Sequence, residues 1–214
     1  MINVCCVLRK GGKVGYDASW VEKLNNSLLR NLTIPFNFYC LSDCDVPCSR
    51  IPLENIGEGY WAKLQLFRYG LFEGPVLFFD LDTIICNNIN DLVTNITNQN
   101  KFLMWRDPDY SLSSSAIMYW NGDYSFIYDE YLKKKDYFES EFSNGNPKRL
   151  IGDQAVISTL VDHLYINDFC PQEWIQVMQK KEKDYSKARI LIFRKAHTKP
   201  STMTHHKIVQ EHWK

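Results

Sequence analysis

At 214 residues the chain is long enough for one ordinary domain, burying about 70% of the surface its unfolded form exposes without disulfide or metal staples. Its 25 lysines and arginines balance 25 aspartates and glutamates, which excludes a global field drawing it to nucleic acid or an anionic membrane; any anion it binds must be held locally. Seven cysteines (Cys5, Cys6, Cys40, Cys44, Cys48, Cys86 and Cys170) are odd in number, and several sit in apolar contexts, as expected of free thiols in a reducing compartment. The opening "MINVCCVLRKGG" turns polar too soon for a secretory signal, and no run reaches the roughly 18 to 20 apolar residues of a spanning helix, so a cytoplasmic protein without a membrane span is expected. Sequon-like triplets at Asn25, Asn31 and Asn95 arise by chance in so Asn-, Ser- and Thr-rich a chain.

"INVCCVL" reads as a first strand and "RKGGKVGYDA" as the loop after it. Trp20, Leu24, Leu28 and Leu32 recur every fourth residue, with Ser19 and Glu22 at capping-box spacing, which predicts the first helix. "PFNFYCLSD" supplies a second strand and "SRIPL" a short third. "GYWAKLQLFRYGLF" places Trp61, Leu64, Phe67 and Leu71 at helical spacing before Gly74 and Pro75. Residues 76–79 are apolar at every position, the pattern of a central strand covered on both faces. Beyond them "KFLMWRD", "SAIMYW" and "ARILIF" read as strands, "SFIYDEYLKKKDYF" and "GDQAVISTLVDHLY" as helices, and the polar tail as loop plus a short helix. Strands alternating with helices predict an α/β layered fold with right-handed crossovers, and no linker or repeat divides it.

The central strand ends in "DLD". In an extended segment Asp80 and Asp82 point to one side, at the carboxyl edge of the sheet where ligands of open α/β folds sit. Two like charges there need a cation, and a hard divalent ion bound by one or two carboxylates, water and phosphate oxygens meets that need. The alternative for any D-x-D is a turn cap beside a solvated carboxylate.

Residues 60–92, "YWAKLQLFRYGLFEGPVLFFDLDTIICNNINDL", resemble the core of the glycogenin-type, family-8 nucleotide-sugar glycosyltransferases. "SSSAIMYW" (113–120) is similar to that family's Asn-Ser-Gly strand, "GDQAVI" (152–157) to its Asp-Gln helix start and "HTKP" (197–200) to its Lys-Pro. The resemblance implies a single GT-A domain, Rossmann-like, with a mostly parallel central sheet flanked by helices. Its nucleotide- and metal-binding half would cover about 1–92, and its sugar and acceptor half about 93–214 with the C-terminal tail. It further implies a UDP-hexose donor, an acceptor that is a glycan, a protein or a small molecule, and retention at the anomeric carbon. Asp80 and Asp82, with Leu81 between them, would hold Mn²⁺ or Mg²⁺ on the donor diphosphate, and Lys63 and Lys199 would contact the donor. Asp153 and Gln154 would sit beside the sugar, Ser114 and Ser115 would bond its hydroxyls, Tyr16 would stack on the base beside Leu8, and Asp43 would meet the ribose or base. For single residues plainer roles stand beside these: a helix N-cap for Asp153, packing for Tyr16, a snorkelling surface lysine for Lys63.

The chain departs from the family pattern at the metal-binding histidine, where it has Phe193 and Arg194. Either His197 supplies the third ligand, or Arg194 and Lys195 neutralise the diphosphate and metal dependence weakens. The Asn of Asn-Ser-Gly is Ser113, and the family's self-glucosylated tyrosine region has no counterpart. "FFDLDTII" also resembles the Asp-x-Asp opening of haloacid-dehalogenase-type phosphatases, although Ile84 stands where that motif wants Thr or Val. A non-catalytic nucleotide-sugar-binding module is a third reading. Cys40, Cys44 and Cys48 lack metal-knuckle spacing, and His205, His206 and His212 fall in a polar tail.

Overall fold

The computed structural model describes residues 1–143, 150–181 and 183–214. Strand β1 (Ile2–Leu8) is buried along nearly its whole length, and helix α1 (Ala18–Asn31) packs Trp20, Val21, Leu24 and Leu28 inward. The helix is capped by Asp17, whose carboxylate accepts from Ser19 N at 2.9 Å, and not by the predicted Ser19–Glu22 box. An extended Asp one residue before the helix reaches the free N–H groups first. Strands β2 (Phe36–Ser42) and β3 (Ser49–Pro52) add in parallel on one side of β1, and β4 (Val76–Phe79) adds in parallel on the other.

Between β3 and β4 the predicted α-helix is a 3-10 helix, Gly59–Phe67. Trp61, Leu64 and Phe67 are three apart, so in a three-residue turn they stack on one line, and every residue from Trp61 to Phe67 is buried. Tertiary burial on all sides has selected the tighter helix.

After β4 come β5 (Ile84–Ile85), α2 (Asn90–Thr97), β6 (Phe102–Asp107) and β7 (Leu112–Trp120). The predicted helix over 125–138 breaks at Lys134 (φ −123°, ψ 27°) into α3 (Phe126–Lys133) and α4 (Lys135–Phe142). Helix α5 (Gly152–Leu160) stops short of its predicted end, because Val161 is extended and the chain runs on into β8 (His163–Tyr165). Strands β9 (Ile175–Val177) and β10 (Ile190–Ile192) precede the final helix α6 (Lys207–His212).

The large sheet has the order β3-β2-β1-β4-β7-β6-β8, with only β7 antiparallel to its neighbours. It is sandwiched between two cores: Leu24, Leu28, Leu92 and Trp105 belong to one, and Trp61, Leu64, Phe67, Tyr131 and Val156 to the other. This is the expected mixed α/β domain with a mostly parallel central sheet flanked by helices. A second sheet, β5-β10-β9, was not expected; "ARILIF" joins it and not the large sheet. No helix among the described residues is long and apolar enough to cross a membrane.

Candidate functional site

The two aspartates lie where one sheet hands over to the other. Strand β4 stops at Phe79, the N–H of Thr83 donates to the carbonyl of Asp80 at 3.0 Å, and the chain then enters β5. The pair therefore sits on a turn and not on extended backbone, and the two carboxylates take different cations. Asp80 Oδ1 is 2.8 Å from Lys63 Nζ, whereas Asp82 Oδ2 is bound by Lys199 Nζ and accepts from the Tyr16 hydroxyl at 2.7 Å. Their exposures differ accordingly, with 32% of the Asp80 side chain open and only 7% of that of Asp82.

Lys63 comes from the 3-10 helix and is buried. Its ammonium lies 3.3 Å from Asp153 Oδ2 and donates to Ser115 Oγ at 3.0 Å, tying β4, β7 and α5 together. Burial alone would lower its pKa, but Asp153 and then Asp80 override this and hold the ammonium above the ordinary lysine value. Asp153 is the second residue of α5 and not its cap, which is Ile151. Burial pushes the Asp153 carboxyl up against the pull of Lys63, and Asp153 Oδ2 has no partner in hydrogen-bond geometry. Burial likewise raises Asp82, against Lys199 and Tyr16. Lys199, on the segment after β10, also donates to the Phe193 carbonyl at 2.9 Å.

These groups open onto a cleft of about 770 Å³, within the range of small-ligand and cofactor pockets. Of the residues predicted from sequence, Tyr16, Asp43, Lys63, Asp80, Leu81, Asp82, Ser114, Ser115, Asp153, Gln154 and Lys199 all line it. Two do not. Leu8 is fully buried in the core, and His197 is exposed on the Ala196–Thr198 turn, away from the lining. A strand's last apolar residue goes to the core, and the turn that aims Lys199 inward leaves His197 outward. Tyr16 meets Trp20 in a T-shaped ring contact with centroids 4.8 Å apart, and its hydroxyl is committed to Asp82. Asp43 holds the β1–α1 loop by accepting from Lys10 N at 2.9 Å.

Arg9, Lys10, Lys13, Glu58, Tyr60 and Ile151, for which no site role was expected, also line the cleft. The signal for the first three was "RKGGKVG" directly after the first strand, a basic glycine-rich turn at the sheet's ligand edge. Tyr60 carried no signal: its ring rests on Gly152, where an added Cβ would come within 2.4 Å of ring carbons. Arg194, which also lines the cleft, is held by both Asp107 and Asp109.

Asp80 Oδ2 and Asp82 Oδ1 have no hydrogen-bond or ion-pair partner among the described residues, so two carboxylate oxygens remain for a hard divalent cation. That donor set fits an ion completed by water and phosphate oxygens. No group of three or more His, Cys, Asp or Glu side chains placed to hold a metal ion is found among the described residues, and His197 lies outside the lining of the cleft.

No family model matches the chain, and no curated protein sequence matches it. Among solved structures it is similar to the glycosyltransferase GlyE of Streptococcus pneumoniae TIGR4, at 17% identity over 78% of this chain and 45% of that one, with a TM-score of 0.53. It is similar also to the galactosyltransferase LgtC in complex with donor and acceptor sugar analogs, at 11% identity over 94% of this chain and 89% of that one, TM-score 0.55. The bifunctional glycosyltransferase WbbM matches at 11% identity over 93% of this chain and 46% of that one, TM-score 0.58. The likeness is one of fold, and the chain spans less than half the length of GlyE and WbbM.

Proposed function

We propose that this chain is a glycosyltransferase that moves a hexose from a nucleotide diphosphate sugar, UDP being the expected nucleotide, to a hydroxyl acceptor. The observation that carries this reading is the convergence of Asp80, Asp82, Lys63, Lys199 and Asp153 from four separate elements at the carboxyl edge of the central sheet, in a cleft of nucleotide-sugar size. Its fold is shared with enzymes named for glycosyl transfer. The reaction breaks the bond from the anomeric carbon to the donor phosphate oxygen and forms a bond to the acceptor oxygen, whose proton leaves with the nucleoside diphosphate or to water.

The leaving diphosphate gains negative charge, so fixed cations beside it stabilise the transition state without moving a proton. Lys63 and Lys199 are such cations, held in place by their carboxylates. Mn²⁺ or Mg²⁺, where bound by Asp80 and Asp82, supplies further charge neutralisation on the diphosphate. Asp153 and Gln154 orient the sugar hydroxyls, and Ser114 and Ser115 extend that polar wall. Retention at the anomeric carbon belongs to the same reading.

The test is turnover. Incubation with a panel of UDP- and GDP-sugars should release nucleoside diphosphate, slowly by hydrolysis without acceptor. Turnover of an aryl phosphate alone would replace the glycosyltransferase by a phosphatase using Asp80 and Asp82, and binding with no turnover of any donor would leave a nucleotide-sugar-binding module.

A further inference from the structure

Among the described residues six cations line the cleft: Arg9, Lys10, Lys13, Lys63, Arg194 and Lys199. Four are already matched to carboxylates. Lys63 faces Asp80 and Asp153, Lys199 faces Asp82, Arg194 faces Asp107 and Asp109, and Arg9 is 3.9 Å from Asp43 while donating to the carbonyls of Glu54 and Ile56. The ammonium groups of Lys10 and Lys13 have no ion pair or hydrogen bond among the described residues, and both side chains are exposed. The Asp17 carboxylate, on which the Lys10 charge acts without an ion pair, is occupied as the α1 cap.

Both lysines belong to the loop closed by the Gly11–Tyr16 bridge, where Gly11 (φ 93°) and Gly12 (φ 69°) take left-handed backbone that other residues resist. Its backbone is as uneven as its charges. The N–H groups of Lys10, Gly11, Gly15 and Tyr16 donate to Asp43, Tyr16, Gly12 and Gly11 respectively, whereas those of Gly12, Lys13 and Val14 donate to nothing among the described residues. Free N–H groups on a glycine turn beside uncompensated ammonium groups are the components from which anion-binding concavities are built. Tyr16 fixes the loop's far end to Asp82, and Lys10–Val14 line the same cleft as the carboxylate pair.

We infer that the Lys10–Val14 loop holds the phosphates of the donor, with Lys10 and Lys13 as its charge-bearing contacts. The inference rests on the glycosyltransferase reading and assigns the uncompensated positive charge which that reading needs. A nucleoside diphosphate brings more negative charge than two buried lysines, already shared with aspartates, can meet. The loop supplies the remainder without any buried charge left alone in the absence of ligand. Glu58, the one carboxylate of the lining without a partner among the described residues, is on another element, the turn before the 3-10 helix.

The experiment is calorimetric titration of UDP, UMP and uridine into wild type and Lys10→Gln/Lys13→Gln at two salt concentrations, with melting temperature as the folding check and Lys101→Gln as a remote control. The double variant should melt like wild type, bind UDP about tenfold more weakly, lose less for UMP and nothing for uridine, and show a shallower salt dependence. Lys10→Arg/Lys13→Arg should retain UDP binding. Equal UDP affinity and salt dependence in wild type and Lys10→Gln/Lys13→Gln would overturn the inference, as would an equal loss for uridine and UDP. A wild type that binds neither UDP nor GDP would instead remove the glycosyltransferase reading on which it rests.

Discussion

Two basic segments reach the same cleft from opposite ends of the chain and hold their charges in opposite ways. The segment after β10 buries Lys199 against Asp82 and ties Arg194 to Asp107 and Asp109. The loop after β1 leaves Lys10 and Lys13 exposed and unpaired among the described residues. A charge taken out of water must meet its opposite or destabilise the fold by several kcal/mol, whereas an exposed one needs no partner. The buried cations are therefore part of the frame that positions the carboxylates, and the exposed ones are the chain's spare charge for a ligand.

The sharpest break in that contrast is Lys199→Met, which strands the Asp82 carboxylate. The expected loss is about 3 to 5 kcal/mol in urea unfolding, largely recovered in Lys199→Met/Asp82→Leu. Lys10→Gln/Lys13→Gln in the same titration should shift stability by no more than about 0.5 kcal/mol. If the single Lys199 variant is as stable as wild type, the frame role is wrong. Tyr16→Phe removes the 2.7 Å bond to Asp82 and should cost roughly 1.5 to 3 kcal/mol, loosening the loop that carries the two free lysines. Faster amide exchange across 10–16 would register that loosening.

Gly152→Ala places a Cβ within 2.4 Å of the Tyr60 ring at a residue with φ 64°, and a loss of about 1 to 3 kcal/mol is expected. Adding Tyr60→Ala should recover the clash but not the backbone strain. The smallest effect concerns Glu54, whose carbonyl anchors Arg9 at the root of the loop. The Tyr128 hydroxyl, and then Arg68, hold its carboxyl below the ordinary glutamate range. A carboxylate with a depressed folded-state pKa adds stability above the unfolded value of about 4.3, and that stability is lost as pH falls through the lower folded value. Glu54→Gln should flatten the acid limb of a melting-temperature profile below that pH and leave neutral pH nearly unchanged.

Much of the frame was legible because it is written in burial. The unbroken apolar run at Val76–Phe79 gave a central strand, and the fourfold spacing from Trp20 gave α1. Where two structures share a pattern, burial decided against the simpler one: Trp61, Leu64 and Phe67 satisfy a 3-10 turn as well as an α-helix, and Val161 tips α5 into an extended segment. Asp80, Asp82, Lys63, Asp153 and Lys199 were found as one group because the segments carrying them resemble one family's motifs in the same order, and they do converge. The expected cation between the aspartates takes the form, within the chain itself, of two lysines contributed from residues 17 positions before and 117 after. No local pattern reports such pairings. Arg194 and Tyr60 owe their places to long-range packing in the same way. Lys10 and Lys13 were readable in principle, since a basic glycine turn after a first strand is a local signal.

On the glycosyltransferase reading, the Asp80–Asp82 turn and its lysines bind a nucleoside diphosphate. Calorimetric titration of UDP and GDP, with and without Mn²⁺, into wild type and Asp80→Asn/Asp82→Asn tests it most directly. One site is expected on the wild type, with UDP preferred and binding tightened by Mn²⁺, and loss of the Mn²⁺ response in the variant. Metal-independent binding of equal strength to both proteins would contradict it.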